Sequence, residues 1–149
     1  MNKEDIKNII IEILDHINAK ADVLVDQETN ELFLVKIDGS DLNYLIGYHG
    51  KVLESFQHIV NLILLNKSQE KCFVNVDINN YTENRKEKIK EITKSFIDKV
   101  RFFGNQVHMP AMSSWERKQV HLIISEYPDI NDESVGEDEQ RHIVLSKKE

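Results

Sequence analysis

The sequence predicts an α+β fold in two units, and three observations carry that expectation. Apolar runs at helical spacing alternate with short β-branched runs. A glycine pair, Gly47 and Gly50, bends the chain between two helical runs. Beyond Asn79-Asn80 the character changes and a second set of elements begins. The length of 149 residues allows one medium domain or two small ones. Contents of 40% hydrophobic and 30% charged residues are ordinary for a soluble globular protein.

Ile6, Ile9, Ile10, Ile13 and Ile17 recur at helical spacing, so Lys3 to Lys20 is expected to be an amphipathic helix. Asp22 to Asp26 and Leu32 to Ile37 read as strands, turned by the polar stretch Gln27-Glu28-Thr29-Asn30. Gly39-Ser40-Asp41 supplies a stop and an N-cap for the helical run Asp41 to Ile46. After the glycine bend, Val52, Phe56, Ile59, Val60, Ile63 and Leu64 mark one face of a helix from Lys51 to Asn66, with Leu53, Leu62 and Leu65 widening it. A helix this apolar is expected to be largely buried. Cys72, Val74, Val76 and Ile78 alternate with Phe73, Asn75 and Asp77 as a strand. The first unit, residues 1–79, thus runs α-β-β-α-α-β.

The second unit, residues 80–149, is expected to run α-β-α-β-β. Its helix from about Thr82 to Phe103 carries Ile89, Ile92, Phe96, Val100 and Phe103 as its apolar stripe. Lys86, Lys90 and Lys94 interleave with Glu83, Glu87 and Glu91, the pattern of a solvated, ion-paired face. A strand from Gln106 to Met109 is expected to stop at Pro110. Ser113 and Glu116 form a capping-box pattern for a helix through about Glu126. Ile130 to Gly136 and Arg141 to Ser146 read as a closing hairpin.

Two constellations could bind a ligand. In Gly47-Tyr48-His49-Gly50, two glycines let the backbone approach an anion closely, and a helix starting at Gly50 or Lys51 turns its positive dipole end toward it. Lys51 and His49 add cationic donors, and Tyr48 an aromatic edge. The competing reading is a helix junction with no ligand. In the second constellation, Arg117 and His121 lie one helical turn apart on one face, with Lys118 beside them. A guanidinium and an imidazole so placed can engage phosphate oxygens. The bland alternative is an arginine paired with a nearby acid and a half-buried histidine.

Charge narrows the partners. The net charge of −7 excludes a broad basic surface. Residues 1–78 carry 7 Lys and no Arg against 13 acids, whereas all four arginines, Arg85, Arg101, Arg117 and Arg141, lie in the second half. A small local footprint on nucleic acid is compatible with that distribution. No apolar stretch approaches the roughly 20 residues of a membrane span, and the first residues have no signal-peptide core. One cysteine, Cys72, reads as a core residue, and the whole fits a reducing cytoplasm. The six histidines show neither an HExxH pair nor Cys–His zinc spacing, and no nucleophile elbow or P-loop is present. No enzyme activity, cofactor or metal is therefore expected.

Residues 1–78 resemble a type II KH domain, by element order and by the stretch Leu45-Ile46-Gly47-Tyr48-His49-Gly50-Lys51-Val52-Leu53-Glu54-Ser55-Phe56-Gln57. Residues 80–149 resemble an R-three-H domain, through Met112-Ser113-Ser114-Trp115-Glu116-Arg117-Lys118-Gln119-Val120-His121 and the ending that includes Arg141-His142-Ile143-Val144-Leu145. The tandem is similar to the bacterial Jag family (SpoIIIJ-associated, also called EloR). That resemblance implies a cytoplasmic, regulatory binder of single-stranded RNA, with single-stranded DNA the alternative. It also implies a link to cell elongation and envelope growth, and a small single-KH-domain partner. Gly47, Tyr48, His49, Gly50 and Lys51 would hold about four nucleotides, while Arg117, His121, Lys118 and Arg141 would contact phosphates of the same strand. Tyr48 replaces the family's usual basic side chain, which lowers the contribution expected of the KH half. Many members begin with a Jag-N domain on a charged linker; this sequence starts in the KH helix, so functions of that domain are not expected. The rival reading is a protein-interaction module with a vestigial nucleic-acid site.

Overall fold

The structure is a computed structural model that describes residues 1–68 and 70–149. The chain divides into two compact units, Met1–Thr82 and Glu83–Glu149. In the first, α1 (Lys3–His16) opens with a capping box between Asn2 and Asp5 and buries Ile6, Ile10 and Leu14. It ends a turn earlier than expected. Asn18 takes a left-handed φ of 54°, and Ala19 N–H donates to Leu14 O at 2.9 Å, closing the last turn and carrying Ala19 into the core.

Strand β1 (Asp22–Gln27) pairs antiparallel with β2 (Leu32–Asp38), and β2 pairs parallel with β3 (Phe73–Ile78). A parallel pair needs a crossover, which α2 (Asn43–Ile46), a 3₁₀ turn (Tyr48–Gly50) and α3 (Lys51–Lys67) supply. Val35, Ile37, Val74 and Ile78 form the buried face of this sheet, under α1 and α3. The expected side-chain cap at Ser40-Asp41 does not form: Asp41 is itself left-handed, and α2 starts from Leu42, whose side chain is drawn into the core.

The expectation that α3 is largely buried is corrected. Leu53, Phe56, Val60 and Leu64 face the core, but Val52, Ile59, Leu62 and Leu65 are 40–52% exposed. A helix lying on one face of a three-stranded sheet can bury only one stripe. On another side of α3, Asn61 Nδ2 donates to Val74 O (3.1 Å) and Asn61 Oδ1 accepts from Val74 N–H (2.7 Å). Gln57 Oε1 accepts from Val76 N–H at 2.8 Å. These amides stand in for a neighbouring strand and close the β3 edge.

The second unit is built on α4 (Tyr81–Phe103), whose first two residues belong to the first unit, with β4 (Val107–Ala111), α5 (Ser114–Ile124), β5 (Ile130–Val135) and β6 (His142–Lys147). The sheet order is β4-β6-β5, all antiparallel. Its core joins Ile89, Ile97 and Val100 of α4 to Val120 and Ile124 of α5 and to Ile143 and Leu145 of β6. The buried stripe of α4 includes Thr93, whose hydroxyl donates back to Ile89 O at 2.7 Å, while Phe103 is exposed. Pro110 does not stop β4 but sits within it, where the register shifts between His108 and Ala111. A proline needs no ladder donor on an edge strand at such an irregularity.

Candidate nucleic-acid interface

The glycine loop of the first unit has steric reasons for both glycines. Gly47 has φ 69°, and a Cβ there would lie 2.3 Å from Val52 Cγ2. Gly50 has φ 79°, and its Cβ would press on the Tyr81 ring at 3.0 Å. Between them His49 is also left-handed, at φ 53°. The loop is less open than a row of unused amides. Gly50 N–H donates to Gly47 O (3.3 Å) and Lys51 N–H to Tyr48 O, so these two close the turn. No side chain caps the start of α3, so the dipole end of this 17-residue helix lies beside the turn. Tyr48, 76% exposed, stacks on His49 with ring centroids 4.0 Å apart and planes 12° from parallel. Gly50 is buried, Gly47 half-buried and Lys51 exposed. Sequence reasoning missed Tyr81, which sits under Gly50; nothing in its local pattern announces that contact.

In the second unit the capping box of α5 forms as expected: Ser113 Oγ accepts from Glu116 N–H, and Glu116 Oε2 from Ser113 N–H. Glu116 is fully buried and its Oε1 accepts from Arg85 Nε at 2.6 Å. A buried carboxylate so held fixes the first turn of α5. Arg117 follows directly. Its Nη1 donates to Met112 O (2.6 Å) and its Nη2 to Ser114 Oγ (3.0 Å), both neutral oxygens. Burial, and then the charge of Arg141, push the Arg117 guanidinium below its ordinary value. Arg141 is held by Ser134 Oγ (3.0 Å) and Gly136 O (3.1 Å). Two guanidiniums therefore sit within electrostatic reach of each other, each with two of its five N–H groups anchored on neutral oxygens.

His121 lies one turn along the same face of α5, and its Nδ1–H donates to Asp132 Oδ2 on β5. That bond fixes the tautomer and leaves Nε2 for a ligand. Lys118 is exposed, about 100° around the helix from Arg117. Arg141, just before β6, thus lies within electrostatic reach of Arg117, and His121 lies one turn from Arg117 on α5. Asp132, Ser134, Arg85 and Glu116 were missed as supports. Only Glu116 had a visible signal, its place in the capping box.

A family model described as the KH domain of KhpA/KhpB matches residues 3–78, more than half of the chain. An R-three-H domain model matches residues 87–147. The chain belongs to the KhpA/KhpB family. This is the tandem of KH and R-three-H domains recognised above as Jag-like. Three relatives, each named RNA-binding protein KhpB, illustrate the range. The one from Clostridium symbiosum is 30% identical over 98% of this chain and 68% of its own length. The Bacillus subtilis protein is 33% identical over 91% of this chain and 66% of its own. The Streptococcus pneumoniae protein is 29% identical over 89% of this chain and only 40% of its own. This KhpA/KhpB-family chain therefore spans between 40% and 68% of those three curated relatives. Among the described residues, no helix is long and apolar enough to cross a membrane.

Proposed function

We propose that the chain binds single-stranded RNA in the cytoplasm, without catalysis, through the Gly47–Gly50 turn of one unit and the Arg117–His121–Arg141 face of the other. The observation that carries this reading is the pair of guanidiniums of Arg117 and Arg141. Their mutual repulsion and the partial burial of Arg117 disfavour charge there, and an anion such as a phosphodiester offsets both. His121, oriented by Asp132, adds a donor or acceptor beside them, and Lys118 a flanking charge. The names of the relatives support RNA as the ligand. Single-stranded rather than duplex RNA is favoured by the small footprint and the exposed Tyr48–His49 stack, which suits an unpaired base.

The test is fluorescence anisotropy with a labelled single-stranded RNA at low salt. Arg117→Ala is expected to weaken binding by roughly 1.5–3 kcal/mol, the worth of a charge-assisted contact, and Arg141→Ala by a similar amount. Unchanged affinity in both, with folding intact by circular dichroism, overturns the reading.

A second reading keeps the chain as a protein-interaction module. It is favoured by the net charge of −7 and by the exposed row Val52, Ile59 and Leu62 on α3, a surface suited to a small single-KH-domain partner. The two readings are compatible, and the regulatory role in cell elongation and envelope growth suggested by the family would draw on both. Only the first demands RNA affinity in the isolated chain.

A further inference from the structure

Helix α4 carries seven Lys and Arg residues against four acids, the reverse of the balance that gives the chain its net charge of −7. The expected pairing of its interleaved lysines and glutamates forms once among the described residues, between Lys88 and Glu91 at 3.7 Å. Arg85 and Arg101 are engaged by Glu116 and Asp129, outside the helix. Lys90 and Lys94 are exposed and make no ion pair among the described residues. Both line a groove of about 400 Å³ between α4 and α5, a volume within the range of small-ligand sites. The α5 side of this groove is apolar: Leu122 is 56% exposed, and Ile123 and Tyr127 are half-buried beside it. Gln119 adds an amide that both donates and accepts. Ammonium groups without partners above exposed apolar surface suit a ligand with a flat body and a negative charge, as an unpaired nucleotide has.

The surface of α5 connects the groove to the Arg117 face. At about 100° per residue, His121 lies about 40° around the helix from Arg117, Lys118 about 100°, Leu122 about 140° and Gln119 about 200°. All four are exposed or half-buried, while the buried Val120 and Ile124 occupy the opposite sector. The accessible face of α5 therefore runs from Arg117 over Lys118 to the groove.

We propose that the groove between α4 and α5 holds a further nucleotide of the single-stranded RNA, its phosphate at Lys90 and Lys94 and its base against Leu122 and Tyr127. Because this site presupposes the RNA binding proposed above, it extends the path of the same strand, from Arg117 and His121 past Lys118 and around α5. Gln119 meets the polar edge of the base. Glu126, exposed in the same lining, is the one group there that repels a phosphate.

The test is fluorescence anisotropy of the full chain with a labelled single-stranded RNA of about 12 nucleotides, within the usual footprint of single-strand binders, repeated across a salt series. The groove variants are the double change Lys90→Ala with Lys94→Ala, and Leu122→Ser and Glu126→Gln singly. The charge-matched control is Lys88→Ala with Lys99→Ala; all these positions are exposed, and circular dichroism checks each fold. The groove double variant is expected to bind about tenfold or more weakly at low salt, as loss of charge-assisted contacts implies, with a salt slope shallower by about 0.7 for each lysine. Leu122→Ser should weaken binding at every salt concentration without changing the slope, since an apolar contact releases no counterion. Glu126→Gln should tighten binding about twofold, and the control should stay close to wild type. A wild type without RNA affinity removes the RNA reading and this site together. If Arg117→Ala weakens binding while the groove double variant matches the control, the RNA reading stands and the groove proposal is overturned. Saturable binding of poly-glutamate that needs Lys90 and Lys94, with RNA affinity indifferent to them, would assign the groove to an acidic peptide and overturn it as well.

Discussion

Gly47 and Gly104 have nearly the same left-handed φ, 69° and 73°, yet their surroundings differ. A Cβ at Gly104 meets nothing within 4 Å, whereas at Gly47 it collides with Val52. Gly104→Ala is expected to cost only the left-handed penalty, about 1–2 kcal/mol. Gly47→Ala adds an overpacking cost of roughly 1–3 kcal/mol and a further backbone cost, since its ψ of −176° lies in a region essentially confined to glycine, and urea melts of the two variants measure the difference. Equal losses would mean that the turn and α3 shift to make room. The spacing of Gly47 and Gly50 was legible in the sequence because those two belong to one short turn. The pairings of His121 with Asp132 and Arg141 with Ser134 were not, because they join residues that only sheet register brings together.

At the scale of elements, the β3 edge depends on two amide side chains of α3 rather than on another strand. Asn61→Ala removes both partners of Val74 and should destabilise the first unit by roughly 1–3 kcal/mol, the cost of unsatisfied half-buried backbone groups. A chemical-denaturation midpoint indistinguishable from wild type would show that water replaces them freely. A different link joins α4 to the turn before β5: Arg101 donates through Nε and Nη2 to both Asp129 oxygens at 2.8 Å. The hydrogen bond from Arg101, chiefly, holds the Asp129 carboxyl below its ordinary value. A depressed folded value stabilises the fold fully above the unfolded value of about 3.9 and progressively less as the pH falls through the folded one. Stability curves of wild type and Arg101→Ala should thus run apart at neutral pH and converge in acid below that value. A constant gap across the whole range would dismiss the pairing as the source. The sequence showed neither Asn61 nor Arg101 in these roles, because the partner of each lies on a distant segment.

For the whole molecule, charge sets the form that the proposed RNA binding would take. Each phosphate neutralised on a single strand contributes a slope of about −0.7 in log affinity against log salt. Two arginines on a chain of net charge −7 therefore predict a shallow slope, about −1.4 with no more than one or two further contacts, reduced by about 0.7 in Arg117→Ala. A slope steeper than about −5 would require the broad basic surface that the composition excludes. The sequence by itself determined the order of elements in both units, the glycine turn, the capping box and the shared face of Arg117 and His121. All of these follow from local periodicity and backbone preference, which act over a few residues. Only the tertiary structure decided which stripe of α3 is buried, that Pro110 lies within a strand, that Arg85 closes on buried Glu116 and that His108 meets His142. Those depend on which distant segments become neighbours, and the energy of a packed contact is not written in the spacing of either partner alone.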